Sequence, residues 1–299
     1  MGRTARRTQE DRGAYDVLRR KYLAELGSHT NRNVIVYYSG WLQKPELYQQ
    51  HPYRFNIHDN DKNGLMATIH HLDRSKGLDL LLHTPGGDFA ATESLVHYLR
   101  QMFKTDVRAI VPQLAMSGGT MIALACKEIW MGEHSNIGPI DPQFGGIPAH
   151  GVIEEFEQAK KEVLKNPTLA HLWQPIIAKY QPTLIGECQK AIKWSEQMVK
   201  DWLLKGMLKG DNNATEKANR IIDGLGSHAL TLSHARHISL EGARNLGVKV
   251  CALEGDIPLR DAVLSVHHAC IHTLTSTGAV KIIENQNGEA FIQSLTVSK

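Results

Sequence analysis

Residues 78–88 read LDLLLHTPGGD and residues 107–120 read VRAIVPQLAMSGGT. Each begins as a short apolar run, stops at a turn with two consecutive glycines, and leads into a helical pattern. Leu78–His83 and Val107–Val111 therefore read as buried strands. Between them, Ala90–Met102 spaces its apolar residues as an amphipathic helix does. Beyond the second turn, Met116–Cys126 sets small residues (Ser117, Gly118, Gly119, Ala123, Ala125) at helical spacing, and Ile129–Met131 is a third strand. Strand, helix, strand, helix, strand with near-continuous apolar strands predicts an α/β protein. Its sheet is mainly parallel, covered on both faces, with right-handed crossovers.

Working outward, Asn33–Tyr38 is rich in β-branched and aromatic residues and reads as another strand. Residues 1–27 read as an amphipathic helix, with Tyr15, Val17, Leu18, Tyr22, Leu23 and Leu26 spaced among charges. Residues 40–63 are polar and read as a long loop with a turn, and Leu65–Leu72 as a helix. Ile137–Gly146 is a Gly/Pro loop, after which the character changes. Ile153–Leu164 and Leu184–Leu208 are long, charged amphipathic helices, followed by a polar loop at Gly210–Asn213. Ala214–Leu225 and Leu240–Leu246 are further helices, the second leading into Val248–Val250. The expected organisation is a helical arm (1–29), an α/β core domain (30–255) with a helical insertion (152–215), and a helical and strand tail (256–299). A chain of 299 residues, 42% apolar, is long enough for one large domain with an appendage.

The net charge is only +3, and the basic residues gather at the start, in Arg3, Arg6, Arg7, Arg12, Arg19, Arg20 and Lys21. A nucleic-acid binder shows a wider basic surface, so the basic stretch reads as a solvated terminal helix and no nucleic-acid partner is expected. The four cysteines have no CxxC spacing and read as buried thiols. The first thirty residues lack the apolar core of a signal peptide, and no run approaches the roughly 20 apolar residues of a membrane span. A cytoplasmic protein is expected. Sixteen histidines, densest at His70-His71, His267-His268 and His272, form no HExxH pattern. Neither a metal nor a cofactor is expected.

The two glycine turns carry the chemistry. Glycines at Gly86 and Gly87 let the backbone approach a ligand closely, and N–H groups at the start of a helix favour an anion. Ser117 lies on the second turn, where a helix N-terminus favours developing negative charge. A nucleophile with an oxyanion hole needs one N–H donor beside it and one from a neighbouring turn. Neither turn is a GxxxxGK[ST] loop or a GxGxxG fingerprint, and Ser117 lacks the GxSxG elbow. It is their pairing, one helix and one strand apart, that is specific.

The segments LLLHTPGGDFAATESLVHYLR (80–100), IVPQLAMSGGTMIALACKEIWMGEHSNIGPIDPQ (110–143) and SHARHISLEGARNLGVKV (233–250) resemble the Clp-fold serine peptidases. The resemblance is to the serine dehydrogenase proteinase family, relatives of the Clp proteolytic subunit and of signal peptide peptidase A. It implies a ClpP/crotonase-like spiral of ββα units, a homo-oligomer, and a polypeptide substrate; whether an unfoldase or accessory partner delivers that substrate is left open. It also implies Ser117 as nucleophile, Gly87 and Gly118 as oxyanion donors, and Gly86 and Gly119 beside the substrate.

The general base departs from the Clp pattern. Where the Clp subunit has a histidine after the next strand, this chain has Asp141-Pro142. The alternatives are a lysine, by analogy with Ser–Lys dyads, and His234, which matches a family histidine. Lys160, flanked by Ala159 and one turn from Phe156, is favoured over Lys161, and the choice leans to the lysine; Asp141 would orient a base or hydrogen-bond the loop. A lysine base must be desolvated, whereas histidine needs little tuning. Other readings of the same fold are a crotonase-type acyl-CoA enzyme and a non-catalytic oligomeric scaffold.

Overall fold

The computed structural model describes residues 13–226 and 236–295. In it, the run rich in β-branched residues forms β1 (Asn33–Ser39), buried along its whole length. Successive side chains of a strand point to opposite faces. Val34, Val36 and Tyr38 accordingly enter one apolar core, and Ile35 and Tyr37 enter another. The remaining strands are β2 (Leu78–His83), β3 (Val107–Val111), β4 (Leu114–Ala115), β5 (Glu128–Met131), β6 (Asn136–Ile137), β7 (Gln143–Phe144), β8 (Ile147–Pro148), β9 (Ile238–Ser239), β10 (Val250–Ala252), β11 (Ala279–Asn285) and β12 (Ala290–Ser294). The main sheet has seven strands in the order β10-β5-β3-β2-β1-β11-β12. The first five run parallel, while β11 is antiparallel to β1 and to β12. This is the Clp-like α/β architecture expected from the order of strand and helix signals.

The helices are α1 (Ala14–Thr30), α2 (Pro45–Gln50), α3 (Pro52–Phe55), α4 (Asp61–Ile69), α5 (Phe89–Phe103), α6 (Gly118–Leu124), α7 (Ala149–Lys165), α8 (Ala170–Ile177), α9 (Leu184–Lys205), α10 (Ala214–Gly226), α11 (Leu240–Leu246) and α12 (Ile257–Ser276). One face of the sheet is covered by α1 and α12, through Leu23, Leu26, Val263, Val266 and Cys270. The other is covered by α4, α5, α6, α9 and α10. No helix among the described residues is long and apolar enough to cross a membrane.

Two local expectations are corrected. Residues 40–63 are not a long loop, because Pro45 and Pro52 each start a short helix. Around these helices Trp41, Phe55 and Val280 form a small core of their own. The basic helix is not merely solvated. Arg19 is fully buried and pairs with the buried Glu284 of β11, while the apolar Tyr15, Val17 and Leu18 are exposed. The charge of Arg19 therefore serves to dock α1. The segment beyond 256 forms α12 and two strands that join the main sheet, with Ile283 opposite Tyr37.

Candidate active site

The parallel strands β2 and β3 deliver both glycine turns to the same end of the sheet. Just past β2, Thr84 pairs with the short strand β4: its N–H donates to the Leu114 carbonyl (3.1 Å), and its carbonyl accepts from Met116 N–H (3.0 Å). The turns therefore lie in contact. Gly86 has φ +97°, and a Cβ there would stand 2.6 Å from Ser117 Cβ and 2.7 Å from the Met116 carbonyl oxygen. Only a glycine admits this approach.

Gly87 is pressed on its other side by Ile57. The Ile57 N–H donates to the Gly86 carbonyl (2.7 Å), and Asp88 N–H donates to the Ile57 carbonyl (2.9 Å). A Cβ on Gly87 would stand 2.3 Å from Ile57 N. The N–H of Gly87 has no acceptor among the described residues, and neither has that of Gly118. The Gly87 nitrogen lies 3.5 Å from where a Cβ on Gly118 would stand, so the two donors are neighbours.

Ser117 itself has φ 49° and ψ −116°, and Gly119 N–H closes the turn onto the Met116 carbonyl at 2.8 Å. This is the first central position of a type II′ turn, a place usually held by glycine. A side chain in such a conformation costs about 1–3 kcal/mol, and residues of this kind cluster at functional sites. The Ser117 hydroxyl does not cap α6. Instead, Ser117 lines a cleft of about 960 Å³, with Gly87 beside it and Tyr53, Phe89, Phe144 and Trp194 among its walls. The turn is tied to its surroundings by Thr120, whose buried hydroxyl donates to the Ala115 carbonyl (2.7 Å) and accepts from Gly138 N–H (2.9 Å).

Of the residues singled out from the sequence, the structure brings together Ser117, Gly86, Gly87, Gly118 and Gly119. Asp141 is buried in the loop that Thr120 holds, and the next residue, Pro142, lines the cleft. Lys160 is not brought to the cleft. The buried face of α7 is Ala149, Val152 and Ala159, which leaves Lys160 two-thirds exposed and 4.0 Å from Glu157. Lys161 is exposed as well. Both lysines lack the desolvation that a lysine base requires. His234 lies outside the described residues.

The sequence reading missed a buried ionic cluster behind the cleft. Lys281 of β11 donates to the Asn56 carbonyl (2.6 Å) and to both carboxylate oxygens of Asp61 (2.8 Å each). The Tyr37 hydroxyl and the His58 N–H also donate to Asp61 (2.5 and 3.1 Å). Burial pushes Lys281 down to about 8, against the opposing charge of Asp61. Desolvated as it is, Lys281 has all three protons committed and does not line the cleft, so it is no base for Ser117.

His58 does line the cleft, and burial followed by the charge of Lys281 holds its pKa below the ordinary value. Its Nδ1 accepts from Asn60 N–H (3.2 Å), and its Nε2 lies 3.6 Å from Asp61, with the Gln293 side chain of β12 also beside the ring. The sequence did hold a signal for this cluster. In Val280-Lys281-Ile282-Ile283, the alternation puts a lysine on the same face as the core residue Ile283.

Residues 11–263 match a family described as ClpP-like SDH-type serine proteinase. Two proteins of Methanocaldococcus jannaschii are similar, both described as uncharacterized. MJ1495 is 34% identical over 203 residues, which is 67% of this chain and 63% of that protein. MJ0137 is 30% identical over 240 residues, or 79% of this chain and 77% of that protein. The match to the first thus covers less than two thirds of its length. With its family match spanning both glycine turns, the chain belongs to the ClpP-like SDH-type serine proteinases.

Proposed function

We propose that the protein hydrolyses peptide bonds with Ser117 as nucleophile. The observation that carries this reading is the strained Ser117 turn beside two N–H groups, of Gly87 and Gly118, that have no acceptor among the described residues. Ser117 Oγ attacks the scissile carbonyl carbon, and the carbonyl oxygen gains the negative charge. The two N–H groups receive that charge, each typically worth about 3–4 kcal/mol in the transition state. The proton leaves Ser117 for a base and passes to the departing amine; water then hydrolyses the acyl-enzyme.

His234 is the proposed base and Asp141 the carboxylate that orients it. What supports this is the anchoring of the chain on either side of His234. Leu225 accepts from Ile140 N–H (2.9 Å), and Ile238 pairs with Ile137, so both flanks are tied to the loop bearing Asp141. Histidine also needs little tuning to accept a proton near neutral pH. The substrate class is an extended polypeptide entering the aromatic-walled cleft, and the working form is a homo-oligomer.

The test is labelling of the purified protein with a fluorophosphonate probe. The label should map to Ser117, and Ser117→Ala should abolish it with the fold intact. His234→Ala should slow labelling and remove the activity limb near pH 6–7. Persistent labelling of the Ser117→Ala protein would falsify the assignment of the nucleophile.

A further inference from the structure

We infer that Lys281 and Asp61 are positioning residues for the oxyanion site, acting through the backbone of Asn56–His58 to aim the Gly87 N–H. The inference rests on the role given above to Ser117 and Gly87.

The segment Asn56–His58 belongs to no strand of the main sheet. It meets the first glycine turn only through the isolated pairing of Ile57 with Gly87. Two hydrogen bonds make that pairing, and they straddle Gly87: one to the Gly86 carbonyl and one from the Asp88 N–H. Any shift of Ile57 therefore tilts the peptide unit whose N–H is to meet the oxyanion. No longer ladder fixes the segment's register, so something else must.

The alternation of extended backbone supplies the other attachment. Ile57 spends its own N–H and carbonyl on the glycine turn. The Asn56 carbonyl and the His58 N–H are held from the opposite side, by Lys281 Nζ (2.6 Å) and Asp61 Oδ2 (3.1 Å). Both side chains are fully buried. Lys281 itself is fixed by the sheet, opposite Ser39 of β1 and Gln293 of β12. Asp61 is steadied by the Tyr37 hydroxyl and by the ammonium. A rigid sheet is thus linked through one ion pair to the two peptide groups flanking Ile57, and through Ile57 to Gly87. Neither side chain of the pair lines the cleft, and displacement of a reacting group by about 1 Å can cost 10²-fold in rate.

The decisive protein is the double variant Lys281→Met/Asp61→Asn, which removes both charges and leaves neither unpaired. Two readouts are taken: amide hydrogen exchange at Ile57 and Asp88, and the rates of fluorophosphonate labelling and peptide hydrolysis. The expected result is a cooperatively folded protein with faster exchange at both amides. Labelling rate and kcat should fall by about tenfold or more, with KM changed much less, since the loss falls on the transition state. Tyr37→Phe, which removes one hydroxyl from Asp61 and strands no charge, is the milder companion should the double variant not fold, and it should quicken exchange at the same two amides.

A folded variant with wild-type exchange at Ile57 and Asp88, or with faster exchange but wild-type labelling, overturns the inference. If the wild-type protein does not label at all, the Ser117 reading fails by itself. The exchange measurement still decides whether the ion pair holds the Ile57–Gly87 contact, and unchanged exchange there overturns the link.

Discussion

At the scale of single residues, Gly87 shows how a turn glycine acquires a second constraint. Read in the sequence, it is backbone machinery, and a methyl there should tilt the N–H and cost turnover with little loss of stability. The structure adds a steric penalty, because that methyl would stand 2.3 Å from Ile57 N and 2.4 Å from Ile57 O, atoms of a backbone that cannot step aside. Gly87→Ala should therefore lower turnover by about 10²-fold. It should also lower stability, by about 1–3 kcal/mol for the overpacking alone. Melting temperature and labelling rate, measured on the same preparation, check both halves. A variant that melts like the wild type would mean that Ile57 and Gly87 do not approach so closely.

Among the elements, the short helix α6 depends on one hydroxyl. Thr120 joins the strand before the nucleophile turn to the loop that carries Asp141, by donating to Ala115 and accepting from Gly138. Thr120→Val keeps the shape and strands the Gly138 N–H in the interior. An orphaned buried donor costs about 1–3 kcal/mol, so denaturant unfolding should reveal a loss of that size. Because the loop also bears Pro142 at the cleft, the loss should be accompanied by faster proteolytic nicking around residues 138–146. Equal stability in the two proteins would show that water replaces the lost hydroxyl at no cost. Small residues at helical spacing did mark α6 in the sequence. The partner of Thr120, eighteen positions away along the chain, was not marked by any pattern.

For the molecule as a whole, buried histidines set the response to acid. His83 is packed between the rings of Tyr38, Trp41 and His267, with centroids 5.3, 4.4 and 5.6 Å away. Neither of its ring nitrogens has a hydrogen-bond partner that meets distance and angle limits among the described residues, although the Leu114 backbone acts on the ring electrostatically. Burial, then the neighbouring His267, holds its pKa well below 6.5, and burial pushes His267 down to about 4. Below pH 6.5 the unfolded chain therefore takes up protons that the folded chain refuses. Stability is fully present above that pH and falls on acidification towards 4. Each such histidine contributes up to about 1.4 kcal/mol per pH unit. His83→Phe should flatten the fall in melting temperature between pH 6.5 and 4.5 without lowering it at pH 7, since no hydrogen bond is lost. Parallel melting curves for the two proteins would refute this account.

The sequence by itself determined what is written in short range. Strand runs such as Leu78–His83 stop at turn chemistry, helices repeat their apolar residues every three or four positions, and two glycine pairs stand at the ends of parallel strands. From these the α/β order, the Ser117 turn and its neighbour Gly87 could be read, because a period or a turn needs only a few consecutive residues. Only the tertiary structure decided which polar groups meet. Asp61 and Lys281 are 220 positions apart, and Arg19 and Glu284 are 265. The alternation around Lys281 marks an inward-facing lysine, but nothing local to either residue of a buried pair names its partner. Lys160 is the converse case: the sequence offers it as a candidate base beside Ala159 and Phe156, and the packing of α7 leaves it in solvent, paired with Glu157. Burial of a charge is settled by what the rest of the chain packs against it, and that information exists only in the folded state.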